Sequence, residues 1–201
     1  MQYKYKEIKK GDYLDVLLRS KQTVFSTKDI ILLWQASNIN AVQVRLNYYV
    51  KNNKLIHLRR GIYAKDQNYN KYELATKILR PSYVSFETVL GASGITFQYY
   101  NKIFIASYAT REITCDAQKY CFQRINKNIL INPKGIDQSN GYSIATKERA
   151  FLDAIYKNKK YYFDNLSPLD WDKVFDILLI YESKIMEKRV NKYYQDYKKL
   201  C

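Results

Sequence analysis

The sequence predicts an α+β fold, because stretches with helical spacing of apolar residues are interleaved with short β-like runs. Residues 23–65 place two helical patterns before two β runs. Further along, the β formers of residues 102–108 follow a short helical stretch over residues 86–93. Hydrophobic residues make up 47% of the 201 residues, which is enough apolar material for a buried core. These patterns predict two folded domains, of which the C-terminal one is a mixed α+β domain.

A first helix is predicted over residues 11–23, and residues 23–25 are compatible with a short strand. The apolar side chains of this helix recur at helical spacing, so they are expected to pack on the two helices that follow. They are Tyr13, Leu14, Leu17 and Leu18.

A second helix is predicted to begin after Ser26. Ser26 and Asp29 have the spacing of a capping box, in which the serine side chain and the acidic side chain satisfy each other's backbone N–H groups. Ile30, Leu33 and Trp34 then recur at helical spacing.

A third helix is predicted after the turn formers of residues 37–40, with Asn40 as its N-cap. Its apolar residues fall on one side, and its polar residues fall on the other with Arg45 at the boundary. The inward set is Val42, Leu46, Tyr49 and Val50, and the outward set is Gln43, Val44, Asn47, Tyr48 and Lys51.

Two β runs, residues 55–59 and 62–64, meet at Arg60-Gly61 and predict a hairpin, which residues 23–25 would extend to three strands. Helix, short turn, helix and basic-tipped hairpin is the layout of a winged helix-turn-helix, in which the second helix of the motif enters the DNA major groove. The sequence therefore predicts an N-terminal winged helix-turn-helix.

Positive charge is concentrated on this segment. Residues 1–65 carry 13 Lys/Arg and 4 Asp/Glu, a net +9 of the chain's +15. Release of counterions from phosphates favours such a density on a DNA-binding surface. The joint enrichment of Lys, Asn, Ile and Tyr is also what an AT-rich genome would produce, so the charge elsewhere carries no functional argument.

The predicted DNA contacts follow from this layout. Gln43 and Asn47 are amides one turn apart that could bond adenine edges bidentately, and Ser26 and Thr27 stand where a helix N-terminus meets a phosphate. The end of the third helix and the hairpin cations would hold sugar and phosphate. The alternative is a winged module that serves protein contacts. The candidate DNA-binding set is Ser26, Thr27, Asn40, Gln43, Val44, Arg45, Asn47, Tyr48, Lys51, Arg59, Arg60 and Lys65.

The domain boundary is placed in the polar residues 66–70 or within the helix after them, giving domains of residues 1–68 and 69–201. In the second domain, Thr146 is expected to cap a helix ending at Tyr156, with Ala150, Phe151, Ala154 and Ile155 inward. The Glu148-Arg149 pair is interpreted as favourable charge at the start of that helix. The other predicted helices cover residues 71–79, 86–93, 168–183 (stripe Trp171, Val174, Phe175, Leu178, Leu179) and 184–200. Strands are predicted at 83–85, 102–108, 121–125 and 129–131, and a loop or hairpin turn over 133–141.

Catalysis finds little support in the sequence. The one histidine, His57, lies in the predicted hairpin and is interpreted as a surface residue near phosphate, which excludes a histidine-based triad or a histidine-rich metal site. No phosphate-binding glycine loop occurs. The carboxylates of a metal-dependent nuclease could come only from residues without recognisable spacing, namely Glu87, Asp116, Glu148 and Asp153. We therefore expect no enzyme, no cofactor and no metal site.

The compartment is predicted to be the cytoplasm. Three cysteines, Cys115, Cys121 and Cys201, are few and odd in number, which favours a reducing environment, and the first two are expected to be core residues. No apolar run approaches the ~20 residues needed to span a bilayer. The basic N-terminus lacks the apolar centre of a signal peptide.

Three segments together resemble the AbiE-type antitoxin family of bacterial abortive-infection toxin–antitoxin pairs. They are LIHLRRGIYAK (55–65), ELATKILRPSYVSFETVLGASGI (73–95) and YSIATKERAFLDAIY (142–156). The resemblance covers roughly residues 10–156, and Lys147 stands where the family often has proline. The last 45 residues match no motif of the family.

The resemblance implies an N-terminal domain that represses its own operon through inverted repeats. It also implies a C-terminal domain that counters a nucleotidyltransferase-like toxin encoded alongside, with or without a tight complex. The predicted partners are therefore double-stranded promoter DNA and a cognate toxin, and no membrane. The alternative is a regulator outside any toxin pair, whose second domain senses a ligand or forms oligomers.

Overall fold

The computed structural model describes residues 12–199 of a mixed α+β protein, the fold class that the sequence predicts. The chain divides into two compact units, Met1–Lys77 and Ile78–Cys201. The first unit therefore extends past the predicted boundary at residue 68 and takes in most of the helix that follows. The predicted helix start at Gly11, Leu200 and Cys201 lie outside the described residues.

The first unit combines helices and a small antiparallel sheet. Within the described residues, its three strands lie in the order β1-β3-β2, with Val24 opposite Ala64 on one side of β3 and Ile56 opposite Ala64 on the other. The hairpin and the additional first strand are therefore confirmed. The elements are α1 (Tyr13–Arg19), β1 (Val24–Ser26), α2 (Thr27–Leu33), α3 (Ile39–Lys51), β2 (Ile56–Arg59), β3 (Ile62–Ala64) and α4 (Lys71–Ile78).

A shared apolar core joins the helices of this unit to its sheet. Trp34 is central: its indole N–H donates to the Tyr13 carbonyl at 2.8 Å, and its ring packs edge-on against Tyr13 and Tyr49. Burying such large aromatic side chains is worth a few kcal/mol each. The fully or nearly buried members are Leu17, Phe25, Ile30, Trp34, Val42, Leu46, Tyr49, Leu55 and Tyr63.

The capping box at α2 is confirmed. The Ser26 side chain accepts from the Asp29 N–H at 3.2 Å, and the Ser26 N–H donates to the Asp29 carboxylate at 2.8 Å. A cap of this kind stabilises a helix by about 1 kcal/mol. It matters here because it fixes where α2 starts relative to β1, which ends at the same serine.

Two predictions for this unit were wrong. The N-cap of α3 is Asn38, whose side chain accepts from the Ala41 N–H at 3.1 Å, and Asn40 lies inside the first turn. Both asparagines have capping chemistry, but only Asn38 has the extended backbone a cap requires. Leu18 is 50% exposed although Leu17 is fully buried, because α1 is short and only one of its faces meets the core.

The second unit is built on a mixed sheet. Within the described residues, six strands lie in the order β6-β7-β5-β4-β9-β8, with β5 parallel to β7, β4 parallel to β9 and the other neighbours antiparallel. The elements are β4 (Ser82–Val84), α5 (Glu87–Ala92), β5 (Lys102–Ser107), β6 (Arg111–Cys115), β7 (Gln118–Arg124), α6 (Lys127–Ile131), β8 (Ile136–Asp137), β9 (Ile144–Ala145), α7 (Lys147–Lys157), α8 (Trp171–Leu178) and α9 (Lys184–Lys198).

The strand predictions for this unit were right at the centre of the sheet and wrong at its edge. The predicted strand 129–131 is part of α6, whose Asn126 side chain caps it. The edge strand β6 was not predicted, because the turn before β7 uses Asp116 and Ala117 at positive φ in place of the usual Asn-Gly. The predicted loop over residues 133–141 contains the short strand β8.

Helix α7 is confirmed with Thr146 as its cap, and it carries a buried polar network that the sequence did not predict. Arg149 and Asp153 are both 0% exposed, so the interpretation of the Glu148-Arg149 pair as favourable charge at the helix start missed the burial of Arg149. The Arg149 guanidinium donates to the backbone carbonyls of Ile129 (2.6 Å) and Lys134 (2.8 Å). These bonds hold α6 and the segment after it against α7.

Asp153 is satisfied from the other side of the same network. Its carboxylate accepts from the hydroxyl groups of Tyr83 (2.9 Å), Ser85 (2.8 Å) and Tyr181 (2.7 Å). Burial and the nearby carboxylate charge raise the pKa of both phenols well above the ordinary tyrosine value, so both remain donors. A buried charge pair costs desolvation energy unless it is fully bonded in this way.

Helices α8 and α9 close the unit. Helix α8 begins at Trp171 after an Asp170 cap, so the predicted start at Pro168 was wrong. Leu179 was expected inside but is 69% exposed, because the chain tightens into a 3-10 turn over Leu179–Tyr181. Helix α9 was predicted correctly to within two residues of its end. Among the described residues, no helix is both long and apolar enough to cross a membrane.

Candidate nucleic-acid interface

A concave surface of about 600 Å³ lies in the first unit between α3 and the β2–β3 hairpin, and we call it the α3–hairpin groove. Several of its lining residues are far apart in sequence and belong to the predicted DNA-binding set, namely Thr27, Gln43, Asn47, Lys51 and Arg60. The residues that line it are Thr27, Gln43, Asn47, Val50, Lys51, His57, Arg60, Gly61 and Tyr63.

The polar face of α3 is open to solvent, as its amphipathic pattern predicts. Gln43 and Asn47 are both exposed, and the Gln43 amide donates to the Asn47 side chain at 3.1 Å. It also donates to the Tyr63 hydroxyl at 3.2 Å, a contact from the sheet to the helix. The two amides are therefore held side by side, and each keeps hydrogen-bonding groups that face the groove.

The hairpin tip is fixed next to this face by its contact with α2. The Thr27 N–H and hydroxyl both point at the Gly61 carbonyl, at 2.9 and 3.3 Å. Gly61 has φ +71°, a conformation that glycine adopts without steric cost, and a Cβ there would lie 3.4 Å from the Thr27 hydroxyl oxygen. This turn places Arg60, rather than Arg59, in the groove.

The groove is cationic. Lys51 and Arg60 line it, His57 adds a ring that lies 5.2 Å from the Tyr63 ring, and no lining residue is acidic. His57 is exposed, in keeping with its interpretation as a surface residue of the hairpin. A concave surface with one sign of charge concentrates phosphate-bearing ligands.

Other members of the predicted set surround the groove without lining it. Asn40 is exposed in the first turn of α3, and Arg59 is exposed at the end of β2. Val44 and Tyr48 are 69% and 56% exposed on the same helix, so their apolar surface is available to a partner. They continue the exposed face of α3 away from the hairpin.

Three residues of the predicted DNA-binding set form contacts within the protein. The Arg45 guanidinium lies 3.8 Å from the centre of the Tyr13 ring, which is a cation–π contact inside the unit. The Lys65 ammonium donates to the carbonyls of Leu18 (3.0 Å) and Ser20 at the end of α1. The Ser26 hydroxyl is the N-cap of α2. In the described structure these three side chains therefore have partners within the first unit.

Helix α4 holds the elements that position the groove. The buried Glu73 carboxylate accepts from the N–H groups of Thr23 (2.7 Å) and Val24 (2.8 Å), and from the Thr23 hydroxyl at 3.0 Å. One turn later, the Lys77 ammonium lies 2.7 Å from the Asp29 carboxylate of the capping box. Both the start of β1 and the start of α2 are therefore bonded to α4.

Sequence reasoning missed Tyr63 and Glu73. Tyr63 belongs to a fully apolar-looking run, and nothing in the sequence indicates that its hydroxyl reaches α3. Glu73 lies in the helix predicted over residues 71–79, and the structure buries it at 3% exposure. A glutamate one turn before a lysine is an ordinary surface pattern, so the sequence carries no signal of its burial.

Comparisons with known proteins assign no family: no family model matches the chain, and no curated protein matches it.

Within residues 12–199, no group of three or more His, Cys, Asp or Glu side chains is arranged to hold a metal ion. Cys115 is buried and Cys121 is half-buried, and neither is in a disulfide.

Replacing Glu73 with alanine should destabilise the first unit by about 2–4 kcal/mol, because the backbone N–H groups of Thr23 and Val24 lose their acceptor. Urea denaturation followed by Trp34 fluorescence, in a Trp171→Phe background, measures this unit by itself.

The matched control is Lys28→Ala on the exposed side of α2, which should change the free energy of unfolding by less than about 0.5 kcal/mol. Equal effects of the two substitutions would show that Glu73 does not anchor β1.

Proposed function

We propose that the protein is a DNA-binding repressor whose first unit is a winged helix-turn-helix, with α3 as the recognition helix and the β2–β3 hairpin as the wing. The observation that carries the proposal is the pair of exposed, mutually bonded amides of Gln43 and Asn47 beside Arg60 in a groove without acidic lining. In this arrangement Gln43 offers its amide oxygen, and the Asn47 amide can bond adenine bidentately in the major groove. Arginine binds phosphate or guanine.

The bonds between the amides support a recognition role, because they limit the side-chain freedom that binding would otherwise remove. Gln43 is held by Tyr63 and by Asn47 at the same time. A side chain ordered before binding loses less conformational entropy when the duplex arrives. Tyr63 therefore acts in this proposal as a positioning residue for the recognition helix.

The charge distribution supports a phosphate-bound complex. Residues 1–65 carry a net charge of +9, and Lys51 and Arg60 contribute to the concave side of the unit. Arg59 and Tyr48 flank that side and would reach the backbone or the sugar. Phosphate contacts of this kind fix the register of a protein on the duplex, and base contacts supply the sequence preference.

We further propose that the repressor is the antitoxin of an abortive-infection pair, acting in the cytoplasm on its own promoter. This part rests on the resemblance of residues 55–65, 73–95 and 142–156 to the AbiE-type antitoxins. Two of those segments contribute to the buried network of Tyr83, Arg149 and Asp153, so their residues have a structural role in the second unit. No catalytic step is proposed for the protein.

Replacing Gln43 or Asn47 with alanine should weaken binding to the preferred operator by about 1–3 kcal/mol and leave binding to a scrambled duplex nearly unchanged. Fluorescence anisotropy on both duplexes at one salt concentration measures the difference. The control is Gln67→Ala, which removes an exposed amide outside the groove. Equal losses on the two duplexes would reject the amides as base-reading groups.

Replacing Arg60 with alanine should weaken binding to every duplex, because it removes a phosphate contact. The slope of log K against log salt concentration should become shallower by about 1 for that contact. Arg59→Ala should have a similar or smaller effect. Arg19→Ala, which removes a charge already paired with Asp15 on α1, serves as the control. A slope unchanged by Arg60→Ala would place the duplex elsewhere.

Co-expression with the neighbouring gene tests the antitoxin role. Where that gene encodes a nucleotidyltransferase-like protein that arrests growth, the protein should restore growth, and the Gln43→Ala variant should restore it when expressed from an unrelated promoter. Rescue that requires the operator-binding residues would assign the effect to repression alone. An unrelated neighbour would instead favour a regulator outside any toxin pair.

A further inference from the structure

A second concave surface lies wholly within the second unit, and we call it the basic groove. It has a volume of about 600 Å³ and is formed around the end of β7, the end of α7 and the start of α9. Its cations are Arg124, Lys157, Lys159 and Arg189, and no aspartate or glutamate lines it. A volume of this size is typical of sites for small ligands.

The cations of the basic groove are not neutralised by the protein itself. Within residues 12–199, none of the four forms an ion pair with a carboxylate, although ion pairs are present elsewhere in the unit, as between Lys134 and Asp176. The guanidinium of Arg189 is oriented by a 3.3 Å bond to the Ile155 carbonyl. Four like charges around one cavity repel each other, and an anion in the cavity would remove that repulsion.

The start of α9 adds to the same positive potential. Ser183, which lines the groove, caps this 15-residue helix by accepting from the Met186 N–H. The N-terminal turn of a helix carries partial positive charge and favours phosphate. Here the helix end supplements a cationic cavity that is already present.

Part of the lining of the basic groove is apolar and accessible. Ile185 is 62% exposed and Tyr156 is half-buried, whereas Ile125 and Met186 are already buried by the protein. Inorganic ions would leave this surface exposed to water. A ligand with both an anionic part and a flat or apolar part would cover it, which is the composition of a nucleotide.

We propose that the basic groove binds a nucleotide, with its phosphates between Arg124, Lys159 and Arg189 and its base and sugar against Tyr156 and Ile185. The proposal goes beyond DNA binding by the first unit and does not depend on it. It assigns the second unit a phosphorylated small ligand. A free nucleotide and the phosphates of a nucleic acid share this chemistry, so the test separates the two sources.

The experiment is isothermal titration calorimetry of the full chain with AMP, ATP, adenosine and inorganic phosphate. We expect AMP and ATP to bind at one per chain, and adenosine and inorganic phosphate to bind more weakly, because each supplies only one of the two parts. The Arg124→Gln/Lys159→Gln variant should bind ATP about tenfold more weakly. Both side chains are exposed, so its thermal unfolding midpoint without ligand should match that of the wild type.

The matched control is Lys127→Gln/Lys160→Gln, which removes two positive charges, as the test variant does, at exposed positions outside the groove. It should retain ATP affinity within about twofold of the wild type. An equal loss in this control would show general attraction of anions to a basic protein, and would overturn the proposal. Absence of saturable ATP binding at ~1 mM would overturn it as well.

Operator binding distinguishes the two sources of phosphate. If Arg124→Gln/Lys159→Gln binds the operator duplex as the wild type does and loses ATP, the groove is a nucleotide site. If the variant loses duplex binding and ATP binding is unaffected, the groove is part of a DNA surface and the proposal is wrong. Gln43→Ala should retain ATP affinity. ATP binding therefore tests the nucleotide site even where operator binding contradicts the DNA-binding proposal.

Discussion

The candidate DNA-binding surface depends on one buried carboxylate. Glu73 gathers two backbone N–H groups and a hydroxyl from Thr23 and Val24, at the point where β1 begins. Because β1 pairs with β3, whose partner β2 completes the hairpin, that anchor also fixes the β2–β3 hairpin. Lys77 bonds Asp29 from the same helix and fixes the start of α2. The geometry of the groove is therefore set by a helix that contributes nothing to its lining.

The second unit uses the same physical device on a larger scale. Arg149 and Asp153 are fully buried, and each is satisfied by several bonds to different elements. Removing water from charged groups is costly, so the arrangement is stable only when every partner is in place. The network bonds α7 to β4, to α6 and to the 3-10 turn that carries Tyr181.

The sequence predicted the elements better than the contacts between them. The amphipathic pattern of α3 identified Val42, Leu46 and Tyr49 as buried and Gln43 and Asn47 as exposed, because helix periodicity alone decides which side chains share a face. Residues 129–131 were predicted as a strand, because a three-residue apolar run fits either state and the Asn126 cap was overlooked. Strand β6 was not predicted for another reason, because the turn after it uses Asp116 and Ala117 in place of the usual Asn-Gly.

By itself, the sequence determined the α+β class, the order of the helices and hairpin, and the polar face of α3, since all of these follow from local spacing and capping. Only the tertiary structure decided which cations remain available. Lys65 and Arg45 carry the same charge as Arg60, yet Lys65 bonds the end of α1 and Arg45 stacks on Tyr13. A side chain's charge is written in the sequence, whereas its partner is chosen by the elements that packing brings within a few ångströms of it.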